Sequence, residues 1–83
     1  MKRYTAAEVI AIEFCSDISD IKDGRYQPGQ SDKPIYVVGN DYYCATRQGQ
    51  KPAKLRGSDR FEWMKYKSSF ADSIGWQIWE CKC

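Results

Sequence analysis

All three tryptophans of this 83-residue chain, Trp63, Trp76 and Trp79, fall between Asp59 and Cys83. Phe61, Met64, Phe70 and Ile74 lie in the same stretch. Large rings bring the most burial per residue to a small core, so the rest of the chain must be built to cover this segment. Asp59 followed by Glu62 has the form of a capping box. Trp63, Tyr66, Phe70 and Ile74 then recur at helical spacing, which predicts one amphipathic helix ending at Ile74. Gly75 can supply the left-handed residue that stops it. Trp76–Cys83 is aromatic and β-branched and reads as a final strand. Trp76 and Ile78 share one face of that strand; Trp79, Cys81 and Cys83 share the other. A strand apolar on both faces belongs in the middle of a sheet, or else offers one face to a partner, with Trp79 as an exposed anchor.

At the N-terminal end, Thr5 and Glu8 form a second capping box, and the alanine-rich run that follows predicts a helix. Ala6, Ala7, Val9, Ile10 and Phe14 spread over its apolar side, with Glu13 placed awkwardly beside them. Asp17, Asp20 and Asp23 repeat every three residues before Gly24. Calcium loops need acids at alternate positions and a distal glutamate, so this spacing describes a solvated acidic turn. Asp23-Gly24 predicts a turn between the short arms Ile21-Lys22 and Arg25-Tyr26, and Pro28–Asp32 predicts a surface loop.

Ile35–Val38 and Asp41–Cys44 flank Gly39-Asn40, a two-residue hairpin turn. The turn fixes the register: Val38 faces Asp41, Val37 faces Tyr42, Tyr36 faces Tyr43 and Ile35 faces Cys44. Ile35, Val37, Tyr42 and Cys44 form the side expected to lie under the helices. Tyr36 and Tyr43 form a cross-strand aromatic pair on the other side, either an open platform or ordinary packing. Arg47–Ser58 holds two glycines and a proline and reads as a long basic loop.

Net charge is +2 but divided unevenly. Residues 1–41 carry five Lys/Arg against seven Asp/Glu, a net −2, and residues 42–83 carry eight against four, a net +4. Arg47, Lys51, Lys54, Arg56 and Arg60 are concentrated around the basic loop. No signal-peptide pattern and no run of about 18 apolar residues is present, which leads to an expectation of a cytoplasmic protein without membrane contact. In a reducing compartment Cys15, Cys44, Cys81 and Cys83 are expected to be thiols. Their spacing lacks the paired pattern of a zinc site, and no metal or other cofactor is expected.

Histidine is absent, and with it the commonest general base. No nucleophile elbow, phosphate-binding loop or dinucleotide fingerprint is present. These features predict one α+β domain over residues 1–83, ordered helix, antiparallel hairpin or hairpins, helix, C-terminal strand. Its expected function is non-enzymatic: protein binding, with Tyr36, Tyr43 and Trp79 as anchors and Arg47, Lys51, Lys54 and Arg56 as steering charges. The alternative is nucleic-acid binding, with the basic loop on phosphates and the sheet tyrosines stacking on bases.

Two resemblances bear on these readings. Tyr4-Thr5-Ala6-Ala7-Glu8-Val9 resembles the first helix of excisionase-type winged-helix proteins, and Ile21–Arg25 and the Ile35–Cys44 hairpin can be laid on the rest of that plan. This covers about half the chain and implies DNA binding, although Asp17, Asp20 and Asp23 would then face phosphates in the recognition segment. In gross character the chain is also similar to phage and mobile-element accessory proteins, including anti-CRISPR inhibitors of nucleic-acid machinery. By that analogy it would be an inhibitor or adaptor acting on a larger protein or protein–nucleic-acid complex.

Overall fold

The computed structural model describes residues 3–21, 34–52 and 62–82. Helix α1 (Ala6–Glu13) begins at the predicted cap. The Glu8 N–H donates to the Thr5 hydroxyl and the Thr5 N–H donates to the Glu8 carboxylate, both at 3.1 Å. This reciprocal pair satisfies two N–H groups that a helix start leaves open. The helix ends with Cys15 N–H donating to Ile12 O at 3.3 Å and Ser16 N–H to Ala11 O at 2.9 Å. Such an ending requires a left-handed residue, a position usually held by glycine. Here Cys15 fills it, at φ 52°. A single 3₁₀ turn follows at Ile18–Asp20, capped by the Asp17 carboxylate, which accepts the Ser19 N–H at 3.0 Å. The turn carries Ile21 into the core. Residues 15–21 hold this one 3₁₀ turn, and the rest of the segment that the winged-helix resemblance assigns to a second helix and turn lies outside the described residues.

Strands β1 (Tyr36–Val38) and β2 (Asp41–Arg47) pair in the register that the turn dictates, Tyr36 opposite Tyr43, Val37 opposite Tyr42 and Val38 opposite Asp41. Gly39 has φ 64° and Asn40 is not in the positive-φ region, the pattern of a type II′ turn. The faces are reversed from expectation. Tyr36 and Tyr43 lie under the helices, 3% and 8% exposed, in one cluster with Val9, Ile10, Ala45, Ala71, Trp76 and Ile78. Ile35 and Cys44 lie in a second cluster with Tyr42, Trp63 and Cys81. Rings explain the outcome: Phe14 stands 4.3 Å from Tyr43 and 5.1 Å from Tyr66, and Tyr43 meets Tyr66 edge-on at 5.8 Å. The aromatic pair is packing, not platform.

The long helix ending at Ile74 is corrected. Glu62–Tyr66 forms strand β3, and helix α2 spans only Ser69–Ser73. Strand β4 (Trp76–Lys82) needs a neighbour on each side, and β3 supplies the second. Trp63, Met64, Lys65 and Tyr66 also alternate, and Tyr66 joins the helix-side cluster while Trp63 joins the opposite one. The effective N-cap is Ser68, whose hydroxyl accepts the Ala71 N–H at 3.0 Å and donates to the Glu13 carboxylate at 2.6 Å. The carboxylate that sat awkwardly on α1 therefore ties the two helices together. Gly75 takes φ 79° and follows α2 as predicted.

The result is an α+β domain with a four-stranded antiparallel sheet in the order β1-β2-β4-β3. Of the two positions that its two-faced pattern allows, β4 takes the central one, and it joins the hairpin through β2. Helix α1 crosses the sheet, and α2 sits beside it with Phe70 edge-on to Tyr4 at 5.4 Å.

Candidate functional site

Helix α1 buries Val9, Ile10 and Ala11. Ile12 lies two residues beyond Ile10, about 200° around the helix, and therefore points away from the sheet. Glu8, Ile12 and Cys15 stand four and three residues apart and form an outward stripe. An ordinary surface helix is polar there. Here Ile12 is 45% exposed, and Ile18, from the 3₁₀ turn, is 49% exposed. The two side chains border one open groove of about 430 Å³, lined also by Glu8, Ala11, Cys15 and Ser16.

The segment that carries this groove is acidic, and Glu8 lines the groove itself. Among the described residues 3–21, Arg3 stands against Glu8, Glu13, Asp17 and Asp20, a net −3. Glu13 is engaged with Ser68, while Asp17 and Asp20 are exposed. Hydrogen bonds from the Ser19 backbone and side chain hold the Asp17 carboxyl below the usual value of 3.8. Asp17 is therefore an anion at neutral pH.

The residues singled out in the sequence are dispersed. Trp79 is 8% exposed, and its indole N–H donates to Thr46 Oγ1 at 2.9 Å. Thr46, itself 3% exposed, donates onward to the Gln50 carbonyl at 3.1 Å. Tyr36 and Tyr43 are covered as described above. Arg47 is exposed at the end of β2, where its guanidinium stacks 4.2 Å from the Trp76 ring. Lys51 is exposed beyond the turn that follows. Lys54 and Arg56 lie outside the described residues, as do Cys83, Asp59–Phe61 and the Lys22–Lys33 segment with its expected turn and loop. Among the described residues, Arg47 and Lys51 lie near one strand end, and the anchors Tyr36, Tyr43 and Trp79 lie in the core.

Cys15, Cys44 and Cys81 are thiols, exposed, buried and half-buried respectively. Among the described residues, no three Cys, Asp or Glu side chains stand close enough to hold a metal ion. No helix among them is long and apolar enough to cross a membrane.

The sequence reading missed Ile12 and Ile18. A signal for Ile12 was present in its offset from the Ile10–Phe14 face. Ile18 had no periodic context, since one 3₁₀ turn is too short to set a pattern. Comparison with protein-family models, curated proteins and solved structures finds no match to this chain.

Proposed function

We propose that this chain is a non-enzymatic protein-binding domain that docks on a larger protein through the α1 corner. One observation carries the reading: Ile12 and Ile18, two of the large apolar side chains left exposed, border the same groove. Among the described residues, Met64 on β3 is the other large apolar side chain left this exposed. Leaving two half-exposed isoleucines wet forgoes about half of the 1.5–3 kcal/mol that full burial of each would bring. A partner recovers that surface on binding. An inhibitor or adaptor of a larger assembly would use such a corner in this way.

The test is affinity capture from a lysate of the source cell, with nuclease treatment, comparing the wild type with Ile12→Ser/Ile18→Ser. One stoichiometric protein, retained after nuclease and lost with the double variant, is expected. Capture that is unchanged in the variant refutes the reading. Nucleic-acid binding is the competing outcome, and the exposed Arg47 and Lys51 would carry it. It would show as a gel shift that weakens steeply with salt and fails in Arg47→Ala/Lys51→Ala.

A further inference from the structure

We infer that the groove beside Ile12 and Ile18 receives a basic amphipathic helix of a partner protein. This rests on the docking role proposed above and adds the chemistry of the occupant. Three observations carry it.

The first is the apolar floor. Ile12 and Ile18 offer aliphatic surface, with the buried Ala11 beneath them, and no ring lines the groove. They fit branched aliphatic side chains spaced along one face of a partner.

The second is the state of the backbone. An extended peptide binds by adding to a strand edge and needs free N–H and C=O groups to pair with. The groove walls are a helix and its C-terminal turn. The Ile10, Ala11 and Ile12 carbonyls there already accept the N–H groups of Phe14, Ser16 and Cys15. In the 3₁₀ turn, Asp17 O and Ile18 O accept the N–H groups of Asp20 and Ile21. A strand finds no ladder to join here, whereas a helix brings its own backbone hydrogen bonds and can lay an apolar face on the groove.

The third is charge. Glu8 lines the groove, Asp17 lies between the lining residues Ser16 and Ile18, and Asp20 closes the same turn. One oxygen of Glu8 holds the Thr5 N–H and one of Asp17 holds the Ser19 N–H, so each carboxylate keeps its charge fixed in place. Lysines or arginines flanking the apolar face of the incoming helix meet this rim, whereas an acidic helix or a phosphate backbone is repelled. The apolar floor and acidic rim together select the occupant.

The experiment is an NMR titration of the isotope-labelled full chain in reducing buffer, with three synthetic peptides of about 15 residues, four helical turns. One is a leucine–lysine amphipathic helix. The second has glutamate in place of lysine. The third has the lysine peptide's composition with its apolar face scrambled. The lysine peptide is expected to shift the amides of residues 8–18 and to bind about tenfold or more tighter than either control, with several-fold loss from about 0.05 to 0.5 M salt. Ile12→Ser/Ile18→Ser should lower its affinity at least about tenfold while the remaining spectrum stays folded. Asp17→Asn/Asp20→Asn should weaken binding at low salt and flatten the salt dependence.

Equal or tighter binding of the glutamate peptide overturns the inference, as does a set of shifted amides lying elsewhere on the fold. If capture depends on Ile12 and Ile18 but the lysine peptide fails, the docking reading survives and the basic helix does not. If capture is indifferent to Ile12 and Ile18, the docking reading itself falls. A second copy of this chain as the occupant would show as concentration-dependent shifts of the same amides without peptide, and would also overturn the inference.

Discussion

Replacing Thr46 by valine tests the least replaceable polar contact in the sheet. The substitution keeps the β-branched shape and swaps a hydroxyl for a methyl. Thr46 is 3% exposed, and its oxygen both accepts from Trp79 Nε1 at 2.9 Å and donates to Gln50 O at 3.1 Å. Losing it leaves a buried indole N–H with no acceptor, at a cost of about 1–3 kcal/mol. The Gln50 carbonyl lies in an exposed residue and can turn to water, so it adds little. For a domain of this size, whose whole stability is about 4–12 kcal/mol, the loss is a large fraction. Urea unfolding followed by far-UV circular dichroism should show a midpoint lower by about 1–3 M at an m-value of about 1 kcal/mol/M. Trp79→Phe should cost more than Thr46→Val, because it removes ring volume as well as the N–H. The double variant should fall short of the sum by about 1–2 kcal/mol, since each change alone breaks the same bond. A cost below about 0.5 kcal/mol for Thr46→Val, or strict additivity with Trp79→Phe, would refute this account of how the indole is held.

Two further outcomes follow from the structure. Cys15→Gly should stabilise the fold by about 0.5–1 kcal/mol in the same unfolding assay, because a side chain at φ 52° carries a left-handed penalty that exceeds glycine's entropic cost. Tyr43 should ionise above the usual tyrosine value of 10.0, chiefly because its phenol is desolvated and secondarily because Asp41, Glu80 and Tyr66 disfavour the anion. A raised folded value means that the native state holds the proton longer than the unfolded chain does. Its contribution is intact below the ordinary value and is lost as pH rises through the folded one. Urea midpoints should therefore fall as pH rises above about 10 in the wild type and fall less in Tyr43→Phe, with one late-titrating tyrosinate absorbance missing from the variant.

The parts of this fold that were legible in the sequence are those whose signals are local and complete. The Thr5–Glu8 box, the Gly39-Asn40 turn with its register and the Gly75 stop each rest on a few adjacent residues that satisfy their own hydrogen bonds. Trp76–Lys82 was legible as a strand, and of the two positions that apolar residues on both faces allow, it takes the central one. Trp63–Tyr66 was misread because Trp63, Tyr66 and Phe70 meet a helical period, while a five-residue strand with apolar residues on both faces shows no alternation of its own. Pairing with β4, a non-local interaction, decides between them. The two signals that would have corrected it lay close by. Ser68-Ser69 is a cap pair in mid-segment, and an apolar β4 that is central demands a second neighbour.

The same distinction between local and non-local signals explains why the candidate site escaped the sequence. Aromatic residues drew attention as anchors, yet the physics that makes a ring a good interface residue makes it a good core residue first. In so small a domain the core claims them: Tyr36, Tyr43 and Trp79 are all at or below 8% exposed. What remains for a partner is the surface that the core could not use. Ile12 sits on the wrong side of α1 because Val9 and Ile10 already face the sheet, and Ile18 is left out because Ile21 takes the inward place after the turn. In an 83-residue chain, then, a docking surface is better sought among aliphatic residues out of phase with their element than among its rings. For this chain that rule selects the Ile12–Ile18 corner, where exposed aliphatic surface coincides with concentrated negative charge.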